Sequence, residues 1–256
     1  MVGEKVVFCM RVQSDRPKMF KDGTTCWMHS LNGEQPRQPY RKPEREQPIV
    51  DCRRVLQEWD NLTREADLLR LALSLGVRIN ALSALGCVRS PESCDTYGFP
   101  MRDGKGGIIG IRLRRMNGDK WAVPGSHNGL FVPITAPNHT CYVCEGPTDT
   151  AAALSIGAYA VGRPSCSGGV LQLVETVKRQ RLRRVVVLAD CDDPGLRGAM
   201  TLVEHMPVSS CILALPCKDM RQFVNQGGDA ATLNALVSQL VWRNNGNIHT
   251  TTTERL

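Results

Sequence analysis

Val185-Val-Val-Leu-Ala-Asp190-Cys-Asp192-Asp193-Pro194-Gly195 is an apolar run that stops abruptly on three carboxylates, a proline and a glycine. Consecutive apolar residues rich in β-branched side chains suit a strand covered on both faces, as in a parallel sheet. Asp190 and Asp192 then fall at its C-terminal edge, where open α/β sheets place their ligands. Two carboxylates this close repel each other when both are ionised, and a divalent cation relieves that repulsion. Asp193, directly before Pro194, reads instead as the cap of the next helix.

The same alternation of strand and helix extends to either side. Cys141-Tyr-Val-Cys144 runs into Glu145-Gly-Pro-Thr-Asp149 and an alanine-rich helix over 150–156. Proline is favoured in that first turn because its missing N–H would have had no partner. A short strand over 158–161 and an amphipathic helix over 170–178 follow, with Arg179, Arg181, Arg183 and Arg184 at the favourable end of the helix dipole. Beyond Gly195 the pattern predicts a helix to about 205, a strand over 211–215, a helix led by Lys218-Asp219 and a last helix over 230–241. This is the signature of an α/β protein with a parallel sheet. If the strands before Glu145 and Asp190 share that sheet and its direction, Glu145, Asp190 and Asp192 meet at one edge. Hard oxygen ligands there suit Mg²⁺ or Mn²⁺, ions used chiefly to hold phosphates.

Upstream the pattern differs. Residues 1–33 carry Cys9, Cys26 and His29; Cys26-x-x-His29 has zinc-ribbon spacing, but the position three after Cys9 is Val12, so the first ligand pair is incomplete. A hairpin turn is expected at Lys21-Asp-Gly-Thr-Thr25. Residues 34–48 hold four prolines among mixed charges and read as an extended linker. Between 49 and 86 the apolar spacing becomes helical, with Asn61 or Thr63 as a cap and Gly76 as a stop. Between 96 and 133 the period falls towards two, predicting an antiparallel sheet over 97–101, 108–115, 120–123 and 130–132. Ile109, Ile111 and Leu113 point one way, and Arg112 and Arg114 the other, with Arg102, Arg115 and Lys120 nearby. Such a face is either simply solvated or a surface for nucleic-acid phosphates. The tail from residue 244, polar and threonine-rich, is expected to be disordered.

Composition narrows the setting. The 256 residues are 42% hydrophobic and 22% charged, as in ordinary soluble proteins, and carry a net charge of +7, which favours an anionic partner. No apolar run approaches the roughly 20 residues that span a bilayer, and the start has no secretory pattern. Eleven cysteines, several of them single within apolar runs, fit reduced thiols in the cytoplasm.

Cys144-Glu-Gly-Pro-Thr-Asp149, followed about forty residues later by Leu188-Ala-Asp-Cys-Asp-Asp-Pro-Gly195, resembles the Toprim domain, a metal-dependent module of primases, topoisomerases and some nucleases. The primase branch is the nearest in pattern: Phe99-Pro-Met-Arg-Asp-Gly-Lys-Gly-Gly-Ile-Ile-Gly110 resembles the strand-turn-strand before Toprim in bacterial and phage replicative primases, and Lys218-Asp219 resembles their later pair. The resemblance implies a parallel Toprim-type sheet flanked by helices over 139–243. A small α+β basic subdomain over 49–138 and a partial zinc-ribbon-like segment would precede it. It implies Glu145, Asp190 and Asp192 as ligands of Mg²⁺ or Mn²⁺, with Asp149, Lys218 and Asp219 as further catalytic groups. Arg102, Arg112, Arg114, Arg115 and Lys120 would bind nucleic acid, and Cys9, Cys26 and His29 would either hold Zn²⁺ with a distant donor such as Cys52 or be a decayed ribbon that binds none. The expected activity is RNA primer synthesis from nucleoside triphosphates on single-stranded DNA. A Toprim nuclease and a non-catalytic nucleic-acid-binding accessory protein of a mobile element are the alternatives. No Gly-x-x-x-x-Gly-Lys-Ser/Thr loop is present, so a helicase partner would be encoded separately.

Overall fold

The computed structural model describes residues 6–19, 24–30, 50–189 and 193–244. The linker, the tail, the hairpin turn and the pair Asp190 and Asp192 lie outside or largely outside these residues. The chain divides into two units, residues 1–47 and 48–256.

In the first unit, β1 (Val6–Cys9), β2 (Pro17–Met19) and β3 (Thr25–Ser30) form an antiparallel sheet with β3 in the middle. Cys9 stands opposite Trp27, and Val7 opposite His29. The Cys9 thiol accepts the N–H groups of Arg11 and Val12, each at 3.3 Å, which fixes the turn after β1.

The second unit opens with α1 (Cys52–Asp60), α2 (Glu65–Leu75) and α3 (Ile79–Ala84). Asp51 caps α1 by accepting the N–H groups of Arg53 and Arg54. Neither expected residue caps α2: Arg64 does, and its N–H is held by the Asp67 carboxylate at 3.0 Å. Thr63 is diverted, donating to the Trp59 carbonyl and accepting the Arg89 N–H. Gly76 ends α2 at φ +68°, a conformation that favours glycine.

The strands β4 (Val88–Arg89), β5 (Thr96–Arg102), β6 (Ile108–Arg115) and β7 (Lys120–Ala122) make an antiparallel sheet in chain order. Ile111 and Leu113 pack on Cys52, Leu56 and Val88 beneath α1. On the other face Tyr97, Phe99 and Met101 enter a core with Leu71, Leu82, Phe131 and Ala151. Register places Tyr97 opposite Arg114 and Phe99 opposite Arg112, so both arginines stand on this second face. The alternation is as expected, but the polar face is not solvated: Arg114 is only 7% exposed. A second layer covers the arginines, which period-two spacing alone cannot reveal. Residues 130–132 are not a fourth full strand. They make two isolated antiparallel bridges, Leu130 to Arg102 and Phe131 to Gly162, and so tie one sheet to the other.

The remaining elements are β8 (Thr140–Glu145), α4 (Gly146–Ser155), β9 (Ala160–Arg163), α5 (Val170–Arg179), β10 (Arg184–Ala189), α6 (Asp193–His205), β11 (Ser209–Ala214), α7 (Met220–Asn225) and α8 (Ala230–Ser238). Their strands form one wholly parallel sheet in the order β11-β10-β8-β9. Val143, Val161, Val185 and Val187 point to α5 and α6, where they meet Leu173, Val177, Leu202 and Val203. Tyr142, Cys144, Val186, Leu188 and Leu213 point the other way to Ala152, Met220, Phe223 and Leu233 on α4, α7 and α8. Burial pushes the thiol pKa of Cys141 up to about 12 and that of Cys211 to about 11, so both pack as small apolar groups. A bridge from Arg243 to Ser210 lies along β11. No helix among the described residues is long and apolar enough to cross a membrane.

The cap of α8 gives a pH prediction. The Asp229 carboxylate accepts the Thr232 N–H at 2.8 Å, and hydrogen bonds from Thr232 hold its pKa below the usual carboxylate value. A depressed carboxylate pKa adds stability that is complete above the unfolded pKa and is lost as pH falls through the folded one. Urea midpoints of wild type and Asp229→Asn should therefore differ at pH 6 and draw together near pH 2. A difference that does not shrink on acidification would mean that the carboxylate charge contributes nothing.

Candidate active site

Every strand of the parallel sheet delivers its C-terminal end to one edge. Glu145 is the last residue of β8, exposed, and serves as the backbone cap of α4 without spending its carboxylate on a cap hydrogen bond. The next residue, Gly146, has φ +75°, which turns the chain from strand into helix at once. β10 lies beside β8 with Val187 opposite Val143, and continuing that register brings Ala189 level with Glu145. Asp190, the residue after Ala189, and Asp192 lie outside the described residues. The expected common direction of the two strands is thus present.

Asp149 sits in the first turn of α4, where its Oδ1 accepts the Arg221 N–H at 3.0 Å and joins α4 to α7. Arg114 comes to the same place from the antiparallel sheet. Burial and the nearby Arg221 hold its guanidinium below the usual arginine value, while Asp149 pulls it back up, and its Nε is buried without a hydrogen-bond partner. The structure therefore brings Arg114 and Asp149 together, with Arg221 as a third member that the sequence reading did not single out. Lys218 is exposed, and Asp219 is the cap of α7, with Oδ1 accepting the Gln222 N–H at 2.7 Å.

The other basic residues are more scattered. Arg112 donates from Nη2 to the Asn128 Oδ1 at 3.1 Å and keeps a buried Nε without a partner. Arg102 donates to the Gly106 carbonyl, and burial, Arg179 and Arg53 lower its pKa. Arg115 stands on the opposite face of β6 from Arg114, pairs with Asp119 at 3.5 Å and lies over the Trp121 ring. Lys120 is opposite Arg114 and exposed.

In the N-terminal unit, Cys26 is buried and His29 Nε2 is 3.0 Å from the Val12 carbonyl oxygen. No three His, Cys, Asp or Glu side chains among the described residues are arranged to hold a metal ion. Cys9, Cys26 and His29 thus do not converge on a zinc geometry. The valine at position 12 leaves the turn after Cys9 with a backbone carbonyl where a second ligand would be needed.

No protein-family model matches the chain, and no curated protein matches it. Solved structures do. A DnaG primase catalytic domain bound to ssDNA aligns with 74% of this chain and 78% of its own, at TM-score 0.57 and 15% identity. The zinc-binding and RNA polymerase domains of the Aquifex aeolicus primase align over 80% of this chain and 64% of theirs, at TM-score 0.60 and 16% identity. The primase fragment of the bacteriophage T7 primase-helicase aligns over 90% of this chain and 100% of its own, at TM-score 0.53 and 18% identity. This is the fold of a primase catalytic core.

Within that primase fold, Arg163 is the residue that sequence reasoning missed most completely. It ends β9 directly opposite Glu145, is 4% exposed and donates from Nε to the Gly168 carbonyl at 2.9 Å. Its Nη2 is buried with no partner. Burial lowers its pKa, and Cys166 and Glu145 act in the opposite sense. A lone arginine two residues past an expected strand end carries no periodicity that would have marked it.

Proposed function

We propose that the chain is a Toprim-type, primase-like nucleotidyltransferase that joins nucleoside triphosphates on a single-stranded DNA template. The observation that carries this reading is the placement of Glu145 at the C-terminal edge of a parallel sheet, in register with the end of β10. Asp149, in the helix that follows, acts electrostatically on the buried Arg114. The donor set fits a hard divalent cation, because Glu145 is an exposed carboxylate at the end of β8 and, in the sequence, Asp190 and Asp192 follow directly after the neighbouring β10. Glu145, Asp190 and Asp192 would hold Mg²⁺ or Mn²⁺. When bound, that ion supplies charge neutralisation at the phosphoryl group and a more acidic attacking hydroxyl.

The protein's own groups do the positioning. Asp149 ties α4 to α7 through the Arg221 amide and so fixes the helix that begins at Glu145. Arg112, only partly buried and with an Nε lacking an acceptor, would meet template or nucleotide phosphate, while Arg114, covered within the protein, would contribute its charge from behind. Arg115 and Lys120 are more open and would add salt-sensitive attraction to the strand. A replicative helicase is the partner that suits this activity; the T7 neighbour is the primase fragment of a primase-helicase.

The test is synthesis on a single-stranded DNA of mixed sequence with Mg²⁺ or Mn²⁺ and all four ribonucleoside triphosphates. Short oligoribonucleotides are expected, and none when the metal is chelated. The same strand incubated without nucleotides should stay intact; shortened strands there would assign a nuclease instead. Strand binding should also weaken linearly with log salt, and Lys120→Ala should make that slope shallower by about 0.7 if it neutralises one phosphate.

A further inference from the structure

The loop that joins β9 to α5, Pro164-Ser-Cys-Ser-Gly-Gly169, leaves the same edge of the sheet as Glu145 and closes against the start of α6. The approach is tight: a Cβ on Gly198 of α6 would fall 2.1 Å from the Cys166 carbonyl oxygen. Gly169, at φ +77°, then starts the ten-residue α5. The N-termini of α5 and α6 therefore both open at this edge, a position favourable to anions.

Arg163 lies between two hollows. A narrow one is lined by Glu145, Arg163, Ser165, Cys166 and Gly195. A wider cleft of about 370 Å³ is lined by Arg163, Ser167, Arg197 and Thr201 among others. The Nε hydrogen bond to Gly168 fixes the guanidinium in place and leaves Nη2 without an acceptor. Glu145 acts on this cation, but a buried donor such as Nη2 is costly to leave open unless an acceptor meets it. Arg197, exposed on α6, adds a second cation, and Ser167 and Thr201 add hydroxyl donors.

We infer that this cleft is a polyphosphate site, in which Arg163 and Arg197 hold the outer phosphoryl groups of a nucleoside triphosphate while its inner end lies towards Glu145. The cleft has the size of a small-ligand site, roughly 300–1,000 Å³, and is bounded by the loop and α6, which suits a compact polyphosphate rather than a passing strand. The nucleotide as the source of the polyphosphate rests on the primase reading above; the anion site itself does not.

Binding of inorganic tripolyphosphate, measured by calorimetry in excess EDTA, separates the arginines from any metal. Wild-type protein should bind, and Glu145→Gln should bind at least as tightly. Arg197→Ala and Arg163→Gln should each weaken binding about tenfold or more. Because Arg197 is exposed, its variant will fold even if the buried Arg163 tolerates no change. In primer synthesis Arg197→Ala should raise the KM for nucleoside triphosphate more than it lowers kcat. Wild-type affinity for tripolyphosphate in both variants would overturn the inference. So would a parallel loss of affinity for an oligodeoxynucleotide lacking terminal phosphates, which would make this a strand-binding surface. Tripolyphosphate binding that depends on both arginines, in a protein that makes no primers, would sink the primase reading and leave the anion site standing.

Discussion

Glu145→Gln should reduce primer synthesis at least about 100-fold while leaving the fold intact. The substitution removes one charge and adds no volume. Glu145 is exposed, and its carboxylate makes no cap hydrogen bond to α4, so the start of that helix does not depend on it. Activity does depend on it if it is one of three carboxylates that hold the cation, because an amide is a much weaker ligand than a carboxylate for Mg²⁺. The measurement is synthesis rate beside thermal midpoint: a collapse in rate with a midpoint shift of no more than a degree or two is the expected pair. Asp190→Asn should behave in the same way. A rate close to that of wild type for both variants would remove the carboxylates from the chemistry and leave a nucleic-acid-binding protein.

Phe131→Ala should be the most damaging single change to stability, at about 3–5 kcal/mol. Its ring is 2% exposed in a core shared by α2, α3, β5 and α4, and its backbone is hydrogen-bonded in both directions to Gly162 of β9 at 2.9 Å. The bridge needs the glycine: a Cβ at position 162 would stand 2.4 Å from the Thr150 Oγ1 and 2.8 Å from the Gly146 carbonyl oxygen. Removal of the ring leaves a cavity between the two sheets that rigid backbone cannot close. A domain is stable by only about 5–15 kcal/mol, so urea unfolding should show a large fall in midpoint. Leu171→Ala is the control, since Leu171 is 77% exposed and should cost no more than about 0.5 kcal/mol.

The parallel sheet was legible because its strands announce themselves. Val185, Val186 and Val187 are β-branched and consecutive, and such a run suits a strand buried on both faces. The turn at Glu145-Gly146-Pro147 was equally plain, since glycine and proline there each have one structural purpose. The burial of Arg114 was not legible. Alternation along β6 records that two faces differ, not what covers each, and the covering layer comes from residues far away in the chain. Asn61 and Thr63 were drawn to the wrong end of their turn for a related reason. The Thr63 hydroxyl found a long-range partner in the Arg89 amide, leaving the helix start to Arg64 and Asp67. Arg163 and Arg221 gave no signal at all, because each matters through a strand pairing or a helix contact that only the fold creates.

The two bridges at the margins of the parallel sheet have a consequence for association. Beyond β9 the sheet continues into Phe131, and beyond β11 into Arg243, so each outer strand has part of its backbone already occupied by its own chain. Unpaired strand edges are templates on which another chain can add. With both edges partly filled, two copies of this unit have little room to join by extending one sheet into the next, and self-association by that route is disfavoured.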